Sequence, residues 1–233
     1  MEKQEKVGIG LYILRALKFV FWLVLYLVAI SIPQAYLLQS TAPEMIYLLI
    51  ASIAIILVSL FFWWKFSHAY PNNIRPLSKK DIIIDILIYV GLVLVKTAYG
   101  YLMEAMGSGG ESTANDQALA MMLGTNPNIW VLILFIIMTV VAAPIIEEVI
   151  FRGYLRNYFF AKKSVILPMI ISALLFSSFH LSADIFSFLL YAAMGAILYY
   201  AYYRNNNLND AILVHFFNNF PAVIFIIYST LFA

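Results

Sequence analysis

Seven long apolar runs constrain this chain more than any other feature. A helix that crosses the hydrocarbon core of a bilayer needs about 20 apolar residues. Runs of that order cover Leu11–Ile32, Met45–Trp64, Ile82–Met103, Ile129–Phe159, Ser164–Leu181, Ile185–Tyr203 and Ala211–Phe232. Of 233 residues, 64% are hydrophobic and 11% charged, against about 25% charged in a soluble domain. So little charge does not cover a water-facing surface. The expected fold is all-α, a polytopic transmembrane bundle of about seven spans forming a single membrane domain over residues 1–233. The first run lacks a small-residue cleavage site after it and reads as a retained helix rather than a signal peptide.

The basic residues test this span count. Lys3, Lys6, Arg15 and Lys18 lie at the N-terminal end, and Lys65, Arg75, Lys79 and Lys80 follow the second run. Arg156, Lys162 and Lys163 follow the fourth, and Arg204 the sixth. The alternate loops carry Glu44, then Glu104, Glu111 and Asp116, then Asp184, with no Lys or Arg. Positive charge stays on the cytoplasmic side, so the N-terminus is expected inside and the C-terminus outside. In the longest outer loop, Gly107, Gly109 and Gly110 end the third helix. Ser112 or Thr113 is placed to cap a short interfacial helix through Leu123. That helix reads as a connector, with a substrate-facing lid as the alternative.

Ionisable groups at membrane depth cost several kcal/mol unless they are paired or face a cavity. Asp85 and Lys96 lie close enough to helix ends to snorkel, and His68 reads as interfacial. The fourth run carries Pro144, expected to bend the helix, and then Glu147, Glu148 and Arg152. Glu148 and Arg152 share a face at i, i+4 and can pair, whereas Glu147 points about 100° away and has no such partner. Phe176 and His180 stand on the fifth run. His215 and Asn219, again i, i+4, stand on the seventh, with Asn218 turned toward packing. Counting about 1.5 Å per residue from the cytoplasmic ends puts Glu147, His180, His215 and Asn219 in one layer. Such a set is either a structural polar clamp or a hydrolytic site, in which a carboxylate and an imidazole activate water and N–H groups hold the oxyanion. Zinc on Glu147, His180 and His215 is a third arrangement those residue types allow. The 233 residues hold no cysteine, which removes thiol nucleophiles, disulfides and zinc–thiolate sites. No His-Glu-x-x-His helix is present, and Ser108 lacks a rhomboid-type setting.

At these residues the chain resembles the CAAX protease and bacteriocin-processing family (CPBP, or Abi) of intramembrane proteases. That family is marked by Glu-Glu-x-x-x-Arg, Phe-x-x-x-His and His-x-x-x-Asn on successive helices. Here they stand as Glu147-Glu148…Arg152, Phe176…His180 and His215…Asn219, on the fourth, fifth and seventh runs. The resemblance spans about residues 127–220, with three further spans in 1–103. It implies a glutamate-dependent endopeptidase. Glu147 and His180 would activate water, His215 and Asn219 would hold the oxyanion, and Glu148, Arg152 and Phe176 would support them. No cofactor is then needed, zinc being the alternative. Implied partners are a peptide or membrane-protein substrate (a pheromone, a bacteriocin precursor or a CAAX-like tail) and the lipid bilayer, with no nucleic acid. A prokaryotic cell membrane is the expected location. The competing readings are a non-proteolytic scaffold or bacteriocin self-immunity protein, and a transporter. The last would show matching broken helices in two halves, which the first half lacks.

Overall fold

A computed structural model describes residues 8–40, 42–106, 113–124, 127–161 and 163–232. Gly107, Ser108, Gly109, Gly110, Glu111, Ser112 and Lys162 lie outside the described residues, as do Lys3 and Lys6. The described residues form eight helices: α1 (Ile9–Gln39), α2 (Met45–Ala69), α3 (Lys79–Ala105), α4 (Ala114–Leu123), α5 (Ile129–Phe159), α6 (Ile166–Ser178), α7 (Ile185–Asn205) and α8 (Leu208–Phe232). Among the described residues there are no strands.

Among the described residues, six helices are long and apolar enough to cross a membrane: α1, α2, α3, α5, α7 and α8. The protein is an integral membrane helical bundle, as its composition requires. The remaining expected run, the fifth in chain order, appears as α6, a helix shorter than the stretch read from the sequence. This helix has 13 residues, about 20 Å at 1.5 Å per residue, short of a hydrocarbon core of about 30 Å. It stops because the amides of Phe179 and His180 turn tightly onto the carbonyls of Phe176 and Ser177. Asp184 then starts α7, its Oδ1 accepting from the amides of Phe186 (2.7 Å) and Ser187 (2.9 Å). The apolar stretch thus hides a helix end, with His180 in the irregular segment that follows. Non-helical backbone at membrane depth is tolerated where it lines a cavity.

The short outer helix forms as its sequence implies. Thr113 caps α4, its Oγ1 accepting from the Asp116 amide at 3.2 Å. The loops after α2 and α7 meet at the opposite end of the bundle. There the Asn73 amide donates to the Tyr202 hydroxyl (3.0 Å), and the Arg75 backbone donates to Asn207 Oδ1 (3.0 Å). Arg15 Nη1 donates to the Tyr158 carbonyl at 2.9 Å, tying the start of α1 to the end of α5. α5 and α7 are the inner elements: half of the most apolar stretch of each is buried, against 11% for α1 and α3. Helices α1 and α3 present most of their surface outward, which a bilayer accommodates and water would not.

Asp85 does not snorkel. It is fully buried and accepts from Arg204 Nη2 at 2.7 Å. Arg204 also pairs with Asp210 and, at 3.5 Å, with Asp81. This network locks the start of α3 to the α7–α8 turn. Two of its carboxylates sit at helix N-termini and its arginine at a helix C-terminus, the arrangement helix dipoles favour.

Candidate active site

Two widened turns prepare α5 for its polar residues. π-helical turns run over Ile137–Ala142 and Val149–Tyr154, flanking the α-helical turn Ala143–Glu148. Such turns are rare and concentrate at functional sites. In the first, the Ala143 amide bonds to the Met138 carbonyl, so the next amide in that register would serve Thr139. That residue is Pro144, which has no N–H. The Thr139 carbonyl is left open and accepts from Asn219 Nδ2 at 2.8 Å. Pro144 therefore acts by releasing an acceptor, which pins Asn219 of α8 to α5.

The pair read from i, i+4 spacing is present. Arg152 Nη1 donates to Glu148 Oε1 at 2.9 Å, with both side chains fully buried. Arg152 Nη2 donates to the Gly195 carbonyl (2.9 Å), and its guanidinium lies 4.5 Å from the centre of the Phe176 ring. These contacts offset part of the cost of burying the ion pair. Glu148 does more than pair with Arg152, because its Oε1 also faces His215 Nδ1 at 2.8 Å. A carboxylate only accepts, so Nδ1 carries the hydrogen. His215 Nε2 then points at Glu147 Oε2, 4.0 Å away.

Glu147 is 5% exposed. Its Oε1 accepts from the Tyr26 hydroxyl of α1 at 2.8 Å, and its Oε2 accepts from none of the described residues. His180 Nδ1 faces the Phe176 carbonyl at 2.8 Å. A carbonyl only accepts, so this ring too is protonated on Nδ1 and its neutral form keeps a lone pair on Nε2. The ring lies between Phe176 and Tyr191, with centroid distances of 4.3 and 4.6 Å.

Glu147, His180, His215 and Asn219 all line one cavity of about 230 Å³. Glu148 and Arg152 stand behind it. The sequence reading missed three further residues of its wall. Tyr26 comes from a helix whose sequence is almost uniformly apolar, with no marked face. Lys96 was expected to snorkel and Asn218 to pack. Instead Lys96 Nζ donates to Asn218 Oδ1 at 3.3 Å, and both line the cavity. The only signal was an ammonium well inside an apolar run, opposite a run with two adjacent amides. α4 is also more than a connector, since Thr113, Asn115, Asp116 and Leu119 form part of the cavity wall. His68 is exposed.

A three-ligand zinc centre needs donors around one point. Among the described residues no group of three His, Asp or Glu side chains is so arranged, and Glu148 Oε1 is taken by Arg152 and His215. The residues as placed do not fit that centre, and no step below runs through a metal.

The geometry defines a class: a helical membrane protein with a buried glutamate–histidine site open to an internal cavity. Residues 129–221 match the family described as type II CAAX prenyl endopeptidase, Rce1-like, which bears out the resemblance read from the three motifs. The chain is similar to an uncharacterized protein of Mycoplasma capricolum subsp. capricolum, 29% identical over 196 residues, covering 78% of this chain and 56% of the relative. It is also similar to the UPF0177 protein YbdI of Lactococcus lactis subsp. lactis, 37% identical over 89 residues, covering 38% of this chain and 47% of that protein. The chain spans about half the length of these curated relatives. No solved structure matches it.

Proposed function

We propose that this chain is an intramembrane endopeptidase that hydrolyses peptide bonds of membrane-associated peptides or proteins by glutamate- and histidine-activated water. The observation that carries this reading is Glu147: a buried carboxylate with one oxygen oriented by Tyr26 and the other, free of any described donor, beside two imidazoles at a cavity. In the reaction, Glu147 Oε2 takes a proton from water as the water oxygen bonds to the peptide carbonyl carbon. The lone pair on His180 Nε2 accepts the water's second hydrogen and aims its oxygen. Negative charge gathers on the former carbonyl oxygen, where the remaining Asn219 amide hydrogen donates. His215 is directed at the same place, its ring held by the Nδ1 hydrogen bond to Glu148 Oε1. The C–N bond then breaks and the amine leaves with the proton held by Glu147, giving one acid and one amine.

The match to endopeptidases named for CAAX prenyl substrates supports the reaction class. The substrate class is read as membrane-embedded or membrane-tethered peptide, such as a pheromone, a bacteriocin precursor or a CAAX-like tail. The end of the bundle where Arg15, Arg75 and Arg204 collect is assigned to the cytoplasm, in a prokaryotic membrane. The test is cleavage of a peptide library by purified protein in detergent, with and without chelator. Wild type is expected to cleave in both conditions, and Glu147→Gln to lose at least about 10³-fold in kcat at unchanged Tm. Cleavage that survives Glu147→Gln overturns the reading. Loss on chelation with recovery on added zinc overturns the metal-free mechanism. An immunity phenotype that Glu147→Gln leaves intact would make the chain a scaffold.

A further inference from the structure

Four groups on three helices form a single-file hydrogen-bond relay at the cavity wall. Lys96 Nζ donates to Asn218 Oδ1 (3.3 Å), Asn218 Nδ2 to Asn219 Oδ1 (2.9 Å), and Asn219 Nδ2 to the Thr139 carbonyl (2.8 Å). The chemistry of its ends fixes its direction. An ammonium only donates and a carbonyl only accepts, so each amide between them has one orientation. The Thr139 carbonyl alone would suffice to orient Asn219. Lys96 adds something the carbonyl does not, which is charge. Among the described residues Lys96 makes no salt bridge. Asp116 lines the same cavity, but its Oδ2 accepts from the Thr113 hydroxyl at 2.9 Å. A half-buried ammonium at membrane depth is costly when it serves nothing.

We propose that Lys96 is a positioning residue for hydrolysis, lending positive charge through Asn218 to the Asn219 amide that faces the oxyanion. Each amide that accepts on its oxygen becomes a better donor on its nitrogen, because hydrogen bonds in a chain polarise one another. The last donor of the relay, Asn219, is the group assigned to the developing negative charge, where a preorganised donor matters most. The inference rests on that assignment of Asn219.

The experiment compares steady-state kinetics of Lys96→Gln, Lys96→Met, Lys96→Arg, Asn218→Ala and Asn219→Ala with wild type. Lys96→Gln keeps a donor and loses the charge, so it separates electrostatics from packing. Both Lys96→Gln and Lys96→Met are expected to lower kcat about tenfold, with KM within about twofold, and Lys96→Arg to recover most of the loss. Asn218→Ala is expected to cost as much as Lys96→Met, and the double variant no more than either alone, since both break one relay. A wild-type kcat in Lys96→Gln overturns the inference, as does an effect on KM alone, or additive losses in the double variant. Asn219→Ala separates the two layers. If it leaves kcat unchanged, the oxyanion assignment fails together with the relay. If it is severely slowed while Lys96→Gln is not, only the role of Lys96 fails.

Discussion

The protein holds two ionic clusters of similar ingredients, and only one of them lines the central cavity. Around Arg204, three carboxylates gather: Asp81, Asp85 and Asp210, joined by Arg75 and the Asn205 amide. Around Arg152, Glu148 takes the guanidinium and His215, with Glu147 alongside. None of the Arg204 cluster lines the central cavity, whereas Glu147 and His215 do. Every carboxylate near Arg204 bonds to an arginine. Glu147 bonds to a tyrosine hydroxyl and faces the His215 ring at 4.0 Å, with no arginine. Buried charge alone therefore does not mark a site in this bundle. What distinguishes the Glu147 cluster is a carboxylate with no arginine partner that lines the central cavity.

The widest break in the comparison comes from removing each arginine. Arg204→Met and Arg152→Met both leave carboxylates buried without their cation, a loss of about 3–5 kcal/mol in folding stability. They should part in function. Folded Arg204→Met protein is expected to keep wild-type kcat. Arg152→Met should lose it, because Glu148 is then free to turn from His215. Thermal unfolding in detergent beside kcat per folded molecule checks both. Equal losses of kcat would erase the distinction drawn between the clusters.

A smaller effect is expected at Gly195, where α7 crosses α6. A Cβ there would meet the Ala173 backbone at 2.9 Å, and the Gly195 carbonyl anchors Arg152. Gly195→Ala must push the two helices apart, a cost of about 1–3 kcal/mol for overpacking. It should also slow cleavage, since the Arg152 anchor moves with the backbone. A Gly195→Ala protein that melts and cleaves like wild type would show that this crossing carries less of the site than the distances imply.

Local spacing carried the sequence reading, and tertiary placement limited it. Glu148–Arg152 was legible because i, i+4 geometry belongs to any helix, and the three motifs sufficed to gather Glu147, His180, His215 and Asn219. The Glu148–His215 contact was not legible, because it depends on how α5 and α8 face each other. Tyr26 could not be picked from α1 because lipid and core are both apolar, so helix sequence does not mark which face turns inward. Lys96 and Asp85 were misplaced for one reason: distance from a helix end permits snorkelling but does not say whether a partner waits inside. α6 was read as a full span because hydropathy counts residues and is blind to where a helix unwinds.

The smallest effect concerns the two ends of α7, which are held differently. Its C-terminal end is fixed by Arg204, its N-terminal end by the Asp184 cap beside the segment that carries His180. Backbone hydrogen bonds from Ser187 and Phe186 and the Ser187 hydroxyl hold the Asp184 carboxyl below its ordinary range. A carboxyl so lowered contributes stability that is fully present above its unfolded pKa of about 3.9 and is lost as pH falls through the folded value. Asp184→Ala should therefore melt below wild type at neutral pH, and the gap should narrow as the pH is taken below the ordinary carboxylate range. Melting curves of both proteins over that window decide it. A gap that stays constant into acid would mean that Asp184 acts through packing, and that the end of α7 next to His180 is not held by a charged cap.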